Sequence, residues 1–307
     1  MAIKEILKHS MVIRNMYHNT DILFNSVITL FSPMLNSKVI YKKSCKKTLD
    51  LKNPITLNEK LMWLKLNSYA HNPLVIQCAD KYLVRQYVKK CGCGNILNTL
   101  LGVWDSPDQI NWDDLPDKFV LKWNFGSGYN LICSDKNTFD IKQAVKTLKK
   151  WGKKKYHLQC SELHYKYAPK KIVCEKYLET RQGYFPRDYR FYCGNGEPKL
   201  LYISQHVPGK SDMVRVFVDF DWNVLDIGES MKYKDFIQNK PVCFNGMLEY
   251  CRKLSRGFPF VRVDLYDYND TVIFGEMTFT PGACVAEINN SPMLYDVFEL
   301  NKENDPA

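Results

Sequence analysis

The chain of 307 residues lacks most of the features that place a protein at a glance. No stretch is apolar for long enough to cross a bilayer, since the best candidate, residues 22–35 (ILFNSVITLFSPML), is too short. Lys4, Glu5, Lys8, Arg14 and Asn15 interrupt any apolar core at the N-terminus, so no secretory leader is expected. The eleven cysteines are an odd number without a repeated spacing, which argues against a disulfide framework and for a reducing, cytosolic compartment. Cys91 and Cys93 stand too close for a zinc knuckle, and no His pair lies nearby at ligand spacing. Internal repeats and low-complexity linkers are missing too, which removes solenoids and propellers. Finally, no GxGxxG run occurs, and no GKS or GKT follows the glycine turn at 126–128, so neither a dinucleotide fingerprint nor a Walker A loop is present there.

What is present describes a globular body. Apolar residues make up 45% of the chain, enough for two or three subdomains with real cores. The formal charge is +10, and residues 1–52 carry eight Lys and one Arg against three acids, so the rest of the chain is only mildly basic. A nucleic-acid binder spreads cations along a groove with interleaved aromatics, so no nucleic acid is expected here. An acidic ligand or an anionic membrane surface fits the balance better. Residues 22–35 are apolar at helical spacing and are followed by KKSCKK at 42–47; they can pack on the protein's own body or lie on an anionic inner leaflet. Helical periodicity continues from Leu57 to Lys90 with a break at Asn72-Pro73. Strands are expected over 119–135 (with a glycine turn), 171–179, 188–207 and 214–225, and helices over 139–157 and 247–258. Such a mixture predicts an α+β or α/β body.

Three stretches carry candidate chemistry. Lys122 lies in FVLKW, a run otherwise built for a sheet interior, and a buried ammonium needs an anion to meet. Gly126-Ser127-Gly128 follow at once and let backbone N–H groups approach that anion closely. The run VRVDLYDYNDTVIFGEMTFTPG (261–282) reads as a β-hairpin with charges in its middle. Alternation puts Arg262 and Asp264 on one face; Glu276 joins them if the turn is odd or a bulge shifts the register, and points away if an even turn acts alone. Two such carboxylates suit Mg²⁺, which is usually completed by substrate phosphates and water. The third stretch, Glu175 to Leu178 at the end of KIVCEKYLE, offers a short backbone segment to the edge of an aromatic base.

In this order the elements resemble an ATP-grasp ligase, and more closely its TupA-like branch, associated with teichuronopeptide and other bacterial surface polysaccharides. The resemblance rests on NPITLNEKLMWLKL (53–66), DKYLVRQYV (80–88), LLGVWDS (100–106), FVLKWNFGSGYNLI (119–132), EKYLE (175–179), DYRFYCGNGEPK (188–199), DFDWNVL (219–225), SRGFPFVRVDLY (255–266) and FGEMTFTPG (274–282). It implies two α+β subdomains clamping ATP after a helical N-terminal region. The expected layout is a basic helical segment at 1–52, a helical region at 53–115, a small lid subdomain at 116–178 and a large subdomain with the metal site at 179–307. By the same resemblance, Lys81 and Lys122 hold the nucleotide phosphates, Gly126-Ser127-Gly128 is the loop that closes over them, and Glu175 with Lys176, Tyr177 and Leu178 is the adenine hinge. Asp264 and Glu276 are Mg²⁺ ligands. Arg262 steadies an acyl phosphate. Asp188, Arg190 and Lys199 share a hairpin near the nucleotide, and Glu179 or Gln182 would meet the ribose. Where the family commonly has Glu-x-Asn, this chain has Glu276-Met277-Thr278, which makes Thr278 a poorer neutral ligand.

The implied activity is ATP-dependent ligation of a carboxylate to an amine through an acyl phosphate, with ATP and Mg²⁺ as cofactors. The implied substrates are a uronic acid or sugar and an amino acid or amine of a surface polysaccharide. A homodimer and contact with the inner face of the membrane are carried as candidate partners of a cytoplasmic enzyme. Two rivals stand beside it: a glycosyltransferase using Asp219-Phe220-Asp221 as a DxD metal site, and a non-catalytic nucleotide or polysaccharide binder. Lys149, Lys150, Lys153, Lys154 and Lys155 form a basic helix face, and His206 is a further candidate for substrate contact.

Overall fold

A computed structural model describes residues 11–181, 186–205, 214–237 and 239–302. Two helices, α1 (Met11–Phe31) and α2 (Pro33–Cys45), turn sharply at Ser32, whose hydroxyl caps α2 through the Leu35 N–H. Helix α3 (Leu57–Leu66) starts at a capping box, with Thr56 and Glu59 each accepting from the other's backbone. After it come α4 (Pro73–Ala79), opened by Asn72-Pro73 as the sequence suggests, and α5 (Val84–Lys90). These helices share one core with a five-stranded antiparallel sheet and with α8 (Phe244–Ser255). Tyr69 donates to the Phe260 carbonyl at 2.6 Å and Tyr87 to the Leu254 carbonyl at 2.9 Å, so the helical region is pinned to one of the sheet's inner strands and to its covering helix.

The five-stranded sheet has the order β7-β6-β5-β8-β9, where β5 is Arg187–Gly194, β6 Glu197–Gln205, β7 Val214–Val218, β8 Phe260–Tyr268 and β9 Thr271–Thr278. Both of its tight hairpins turn on two residues with positive φ, Asn195-Gly196 (51° and 84°) and Asn269-Asp270 (53° and 69°), the geometry that matches strand twist. An even turn alone would set Asp264 opposite Gly275. Instead the ladder shifts between Asp264 and Leu265, Gly275 becomes the extra residue, and Asp264 faces Glu276. A Cβ on Gly275 would stand 2.9 Å from the Asp264 carbonyl oxygen, so the bulge is built for glycine.

A second sheet, order β1-β4-β2-β3, joins β1 (Leu100–Trp104), β2 (Phe119–Trp123), β3 (Asn130–Cys133) and β4 (Ile172–Lys176). It has its own core around Phe119, Leu121, Trp123, Ile172 and Leu148, the last from α6 (Ile141–Gly152). Strand β1 lies in the 53–115 stretch, after the helices that end at Lys90, and pairs with β4 at the edge of this sheet. The long helix expected over 139–157 ends at Gly152, where a Cβ would meet the Trp123 ring at 2.7 Å; a separate short turn, α7 (Tyr156–Gln159), follows.

Candidate functional site

Strand β2 alternates its exposure, sending Phe119, Leu121 and Trp123 into the core and Val120 and Lys122 to the opposite face. On neighbouring β4, Glu175 stands opposite Val120, and Val173 opposite Lys122. Lys122 Nζ therefore reaches Glu175 Oε2 at 2.8 Å, while Arg85 Nη1 from α5 takes Oε1 at 3.1 Å. The anion demanded by a lysine in this strand is thus partly supplied from within. Lys81 lies between α4 and α5, and its Nζ donates to the Gly126 carbonyl at 2.5 Å. Asp80 holds it there: Oδ1 accepts from the Tyr82 and Leu83 N–H groups at 2.7 and 2.9 Å, and Oδ2 accepts from the Asn124 side-chain amide, while the Asn124 backbone carbonyl accepts from the Lys81 N–H at 3.0 Å. Gly126 and Gly128 have φ of +65° and +81°, a region L side chains avoid, and a Cβ on Gly126 would overlap the Tyr156 ring. Burial lowers the Lys81 ammonium, opposed by the Glu276 carboxylate.

The large sheet contributes a fixed ionic cluster. Arg262 grips Asp264 with both edges, Nε to Oδ1 at 2.7 Å and Nη2 to Oδ2 at 2.6 Å, and Nη2 also reaches Glu276 Oε1 at 3.1 Å and Thr278 Oγ1 at 3.0 Å. From β5, Arg190 Nε donates to Asp188 Oδ2 at 2.6 Å and lies 3.5 Å from Asp264 Oδ2; both arginines reach the Tyr202 hydroxyl at 3.3 Å. The register explains the cluster, since Arg190 sits opposite Asp264 on β8 and opposite Tyr202 on β6. Burial pushes the Asp264 carboxyl up to about 7 against the pull of Arg262 and Arg190. For Glu276, burial would also raise the carboxyl, but Lys81, Arg262 and Arg190 together bring it down to about 2.

The two sheets meet over one cavity of about 160 Å³, lined by Lys81, Arg85, Lys122, the 126–128 loop, Glu175, Asp188, Arg190, Asp264 and Glu276. Four cations face four carboxylates, so a bare triphosphate would overload the site with negative charge, and divalent metal would restore the balance. Asp188 Oδ1 is buried without a hydrogen-bond partner among the described residues, an acceptor left open in the same cavity. No group of three or more metal-ligating side chains stands together among the described residues; the Asp264 and Glu276 pair alone suits a hard cation such as Mg²⁺ only where water and a nucleotide phosphate complete its shell.

A second cavity, of about 360 Å³, adjoins the first and shares Gly126, Ser127, Arg190 and Glu276 with it. Arg262, Arg215, Thr278, Glu162 and Thr280 line it together with Tyr156, Tyr165, Tyr192 and Tyr202. Glu162 is buried, accepts from Thr280 Oγ1 at 2.6 Å, and has its carboxyl raised by burial against Thr280 and Lys65.

Several sequence expectations come out differently. Lys199 is exposed and lines neither cavity: it is the extra residue where the β5–β6 register shifts between Leu200 and Pro198, near the Asn195-Gly196 turn. Of the hinge stretch only Glu175 faces the cavity; the Lys176 N–H bonds the Thr99 carbonyl at 3.0 Å, its carbonyl accepts from Asn98 at 2.8 Å, and neither Tyr177 nor Leu178 lines the space. Glu179 is paired with Lys118 at 2.6 Å on the surface. Gln182 and His206 lie outside the described residues. Asp219 closes a turn, accepting from the N–H groups of Asp221 at 3.0 Å and Asn223 at 2.7 Å, and the DxD stretch lines neither cavity. Arg85, Tyr202 and Glu162 were not singled out. Arg85 stands four residues after Lys81, a spacing that was available to read; Glu162 has no local pattern at all.

Searches of known proteins bear on this site. No curated protein gives a significant match. Solved structures similar to the chain include purK, N5-carboxyaminoimidazole ribonucleotide synthetase, in its ADP complex (11% identity, TM-score 0.42, covering 67% of this chain and 45% of that one). They also include D-alanine–D-alanine ligase from Bacillus anthracis complexed with ATP (14%, 0.39, covering 72% and 65%) and the ATP-grasp ligase PsnB complexed with minimal precursor (10%, 0.39, covering 73% and 60%). The chain spans about half to two thirds of their lengths, and likenesses this distant say nothing of its substrate. The sequence profile described as TupA-like ATPgrasp matches residues 59–297, from helix α3 through both sheets, including the segment that carries Lys81 and the strand that carries Glu276, and by that match the chain belongs to the TupA-like ATP-grasp family.

Proposed function

We propose that the protein is an ATP-dependent carboxylate–amine ligase that joins an amino acid or other amine to a uronic acid or sugar of a bacterial surface polysaccharide. The observation that carries this reading is the convergence of Lys81, Lys122, Asp264 and Glu276 on one cavity between two sheets. Lys81 and Lys122 meet the phosphates, with Glu175 and Arg85 holding Lys122 in place. Asp264 and Glu276, with Thr278 beside them, hold Mg²⁺, which when bound spreads the charge of the transferred phosphoryl group. The 126–128 loop covers the site and keeps water from a reactive acyl phosphate.

The second cavity is sized for small substrates. Arg262 stands where a carboxylate would receive the γ-phosphoryl group, releasing ADP. Glu162, which lines the same cavity, binds the ammonium of the amine and takes a proton from it, which frees the nitrogen lone pair to attack the acyl carbon; phosphate leaves and carries away the second N–H proton. The tyrosine walls suit the face of a sugar ring.

An ADP-release screen over uronic acids paired with amino acids, with mass spectrometry of the product, tests the proposal. ADP, phosphate and an amide should form only when both substrates are present. Consumption of a nucleotide sugar without ATP would instead favour the glycosyltransferase, and unchanged turnover in both Asp264→Asn and Glu276→Gln would remove the metal assignment.

A further inference from the structure

The corner between α1 and α2 is apolar on the wrong side. Its inward residues include Thr29, Asn36 and Ser37, all buried. Asn36 Nδ2 donates to Thr29 Oγ1 at 2.8 Å and to Ser161 Oγ at 3.1 Å, and the Thr29 and Ser161 hydroxyls are 3.0 Å apart. This knot fixes which way the corner faces. Turned outward are Leu23, Phe24, Val27, Leu30, Phe31, Met34 and Leu35, a stripe at helical spacing that runs through the Ser32 bend, with Leu30 68% and Phe31 85% exposed. Seven large apolar side chains in one stripe exceed the scattered surface hydrophobics normal for a soluble protein and mark a surface that something covers. The sequence offered packing on the protein's own body as one placement of residues 22–35, and the polar knot occupies that side.

We propose that this corner seats the protein on an anionic lipid surface. The charge next to the stripe identifies the occupant: Lys38, Lys42, Lys43, Lys46 and Lys47 are all exposed, and α2 contains no acid. Among the described residues Asp21 answers them, paired with Lys43. A second copy docked through the same patch would bring one lysine cluster toward the other, whereas phosphate headgroups neutralise it. No helix among the described residues is long and apolar enough to cross a membrane, so the stripe would enter only the boundary between headgroups and acyl chains.

Flotation of the full chain with phosphatidylglycerol vesicles, against phosphatidylcholine vesicles, at about 0.1 M salt tests the proposal, where screening reaches about 10 Å. Binding should require the anionic lipid. Leu30→Glu and Phe31→Glu lie on the exposed face and should keep the fold by circular dichroism, yet each should weaken partition at least about tenfold. Lys42→Gln with Lys47→Gln should weaken it about thirtyfold and flatten its salt dependence. No partition onto anionic vesicles, binding unchanged in Phe31→Glu, or a dimer in sedimentation that Phe31→Glu dissolves would each overturn it.

Discussion

The two sheets arm the same cleft by different means. The five-stranded sheet carries its charges on strands, where register fixes Arg190, Arg262, Asp264 and Glu276 against one another within a closed set of hydrogen bonds. The four-stranded sheet carries only Lys122 and Glu175 on strands; Lys81 and the 126–128 loop hang outside it, joined through one backbone carbonyl. The difference teaches a division of labour. On the proposed function, the carboxylates that would hold a small cation sit on rigid strands, while Lys81 and the 126–128 loop, which would admit and cover a nucleotide beside Lys122, lie outside the sheet.

The sharpest way to break this contrast is to remove one charge from each side. Asp264→Asn should lower kcat on the order of 10³-fold with little change in the KM for ATP, because it removes a metal ligand needed as charge develops. Lys122→Ala should raise the KM for ATP by about tenfold to a hundredfold and touch kcat less, because it removes binding shared by ground and transition states. Steady-state kinetics with ATP varied separates them, and the reverse pattern would show that the lysine side does the chemistry.

Gly275→Val tests whether the bulge is what aims Glu276. The side chain would collide with the backbone of Asp264, so a loss of about 2–3 kcal/mol in denaturant unfolding is expected, together with loss of Mg²⁺ dependence. A variant that keeps full stability and metal response would mean that the register tolerates the extra side chain.

The pH response should also distinguish the sides. Burial raises the Asp264 carboxyl to about 7 against the pull of Arg262 and Arg190, so as pH falls toward and below that value protons compete with Mg²⁺ for it. The apparent Mg²⁺ affinity should fall as pH drops from 8 to 6, approaching a tenfold loss per unit below 7, with proton release on binding. Titration calorimetry in two buffers of different ionisation enthalpy measures that release. Glu276 stays ionised across the same range and adds no slope. The smallest effect should come from Lys199→Ala, which faces solvent away from both cavities and should leave kcat and KM within about twofold by the same kinetic assay.

How far the sequence reached depended on the range of the interaction. Lys122 and Asp264 were legible because a charge in a run of Val, Leu and Phe is costly without a partner, a rule that needs only neighbours. Glu276 was only half legible: period two gives a face, but a bulge reverses the face, and Gly275 marks it only once the partner strand is known. Lys199 shared a hairpin with Arg190 in sequence, yet pairing sent it to the other side. Arg85 joined the site because α5 packs where β4 can reach it. Glu162 was silent because its meaning is a cavity assembled from segments more than a hundred residues apart.

By itself, then, the sequence determined most of the element types, the glycine turn at 126–128 and several charges of the cleft, Lys122, Glu175, Arg262 and Asp264 among them, since periodicity, backbone freedom and desolvation act on residues close along the chain. Tertiary structure alone decided which charges meet, which cavity adjoins the first, and that the α1–α2 corner turns its apolar stripe to the outside. Those outcomes depend on strand register and on which of two faces finds hydrogen-bond partners in the body, quantities that no local pattern encodes.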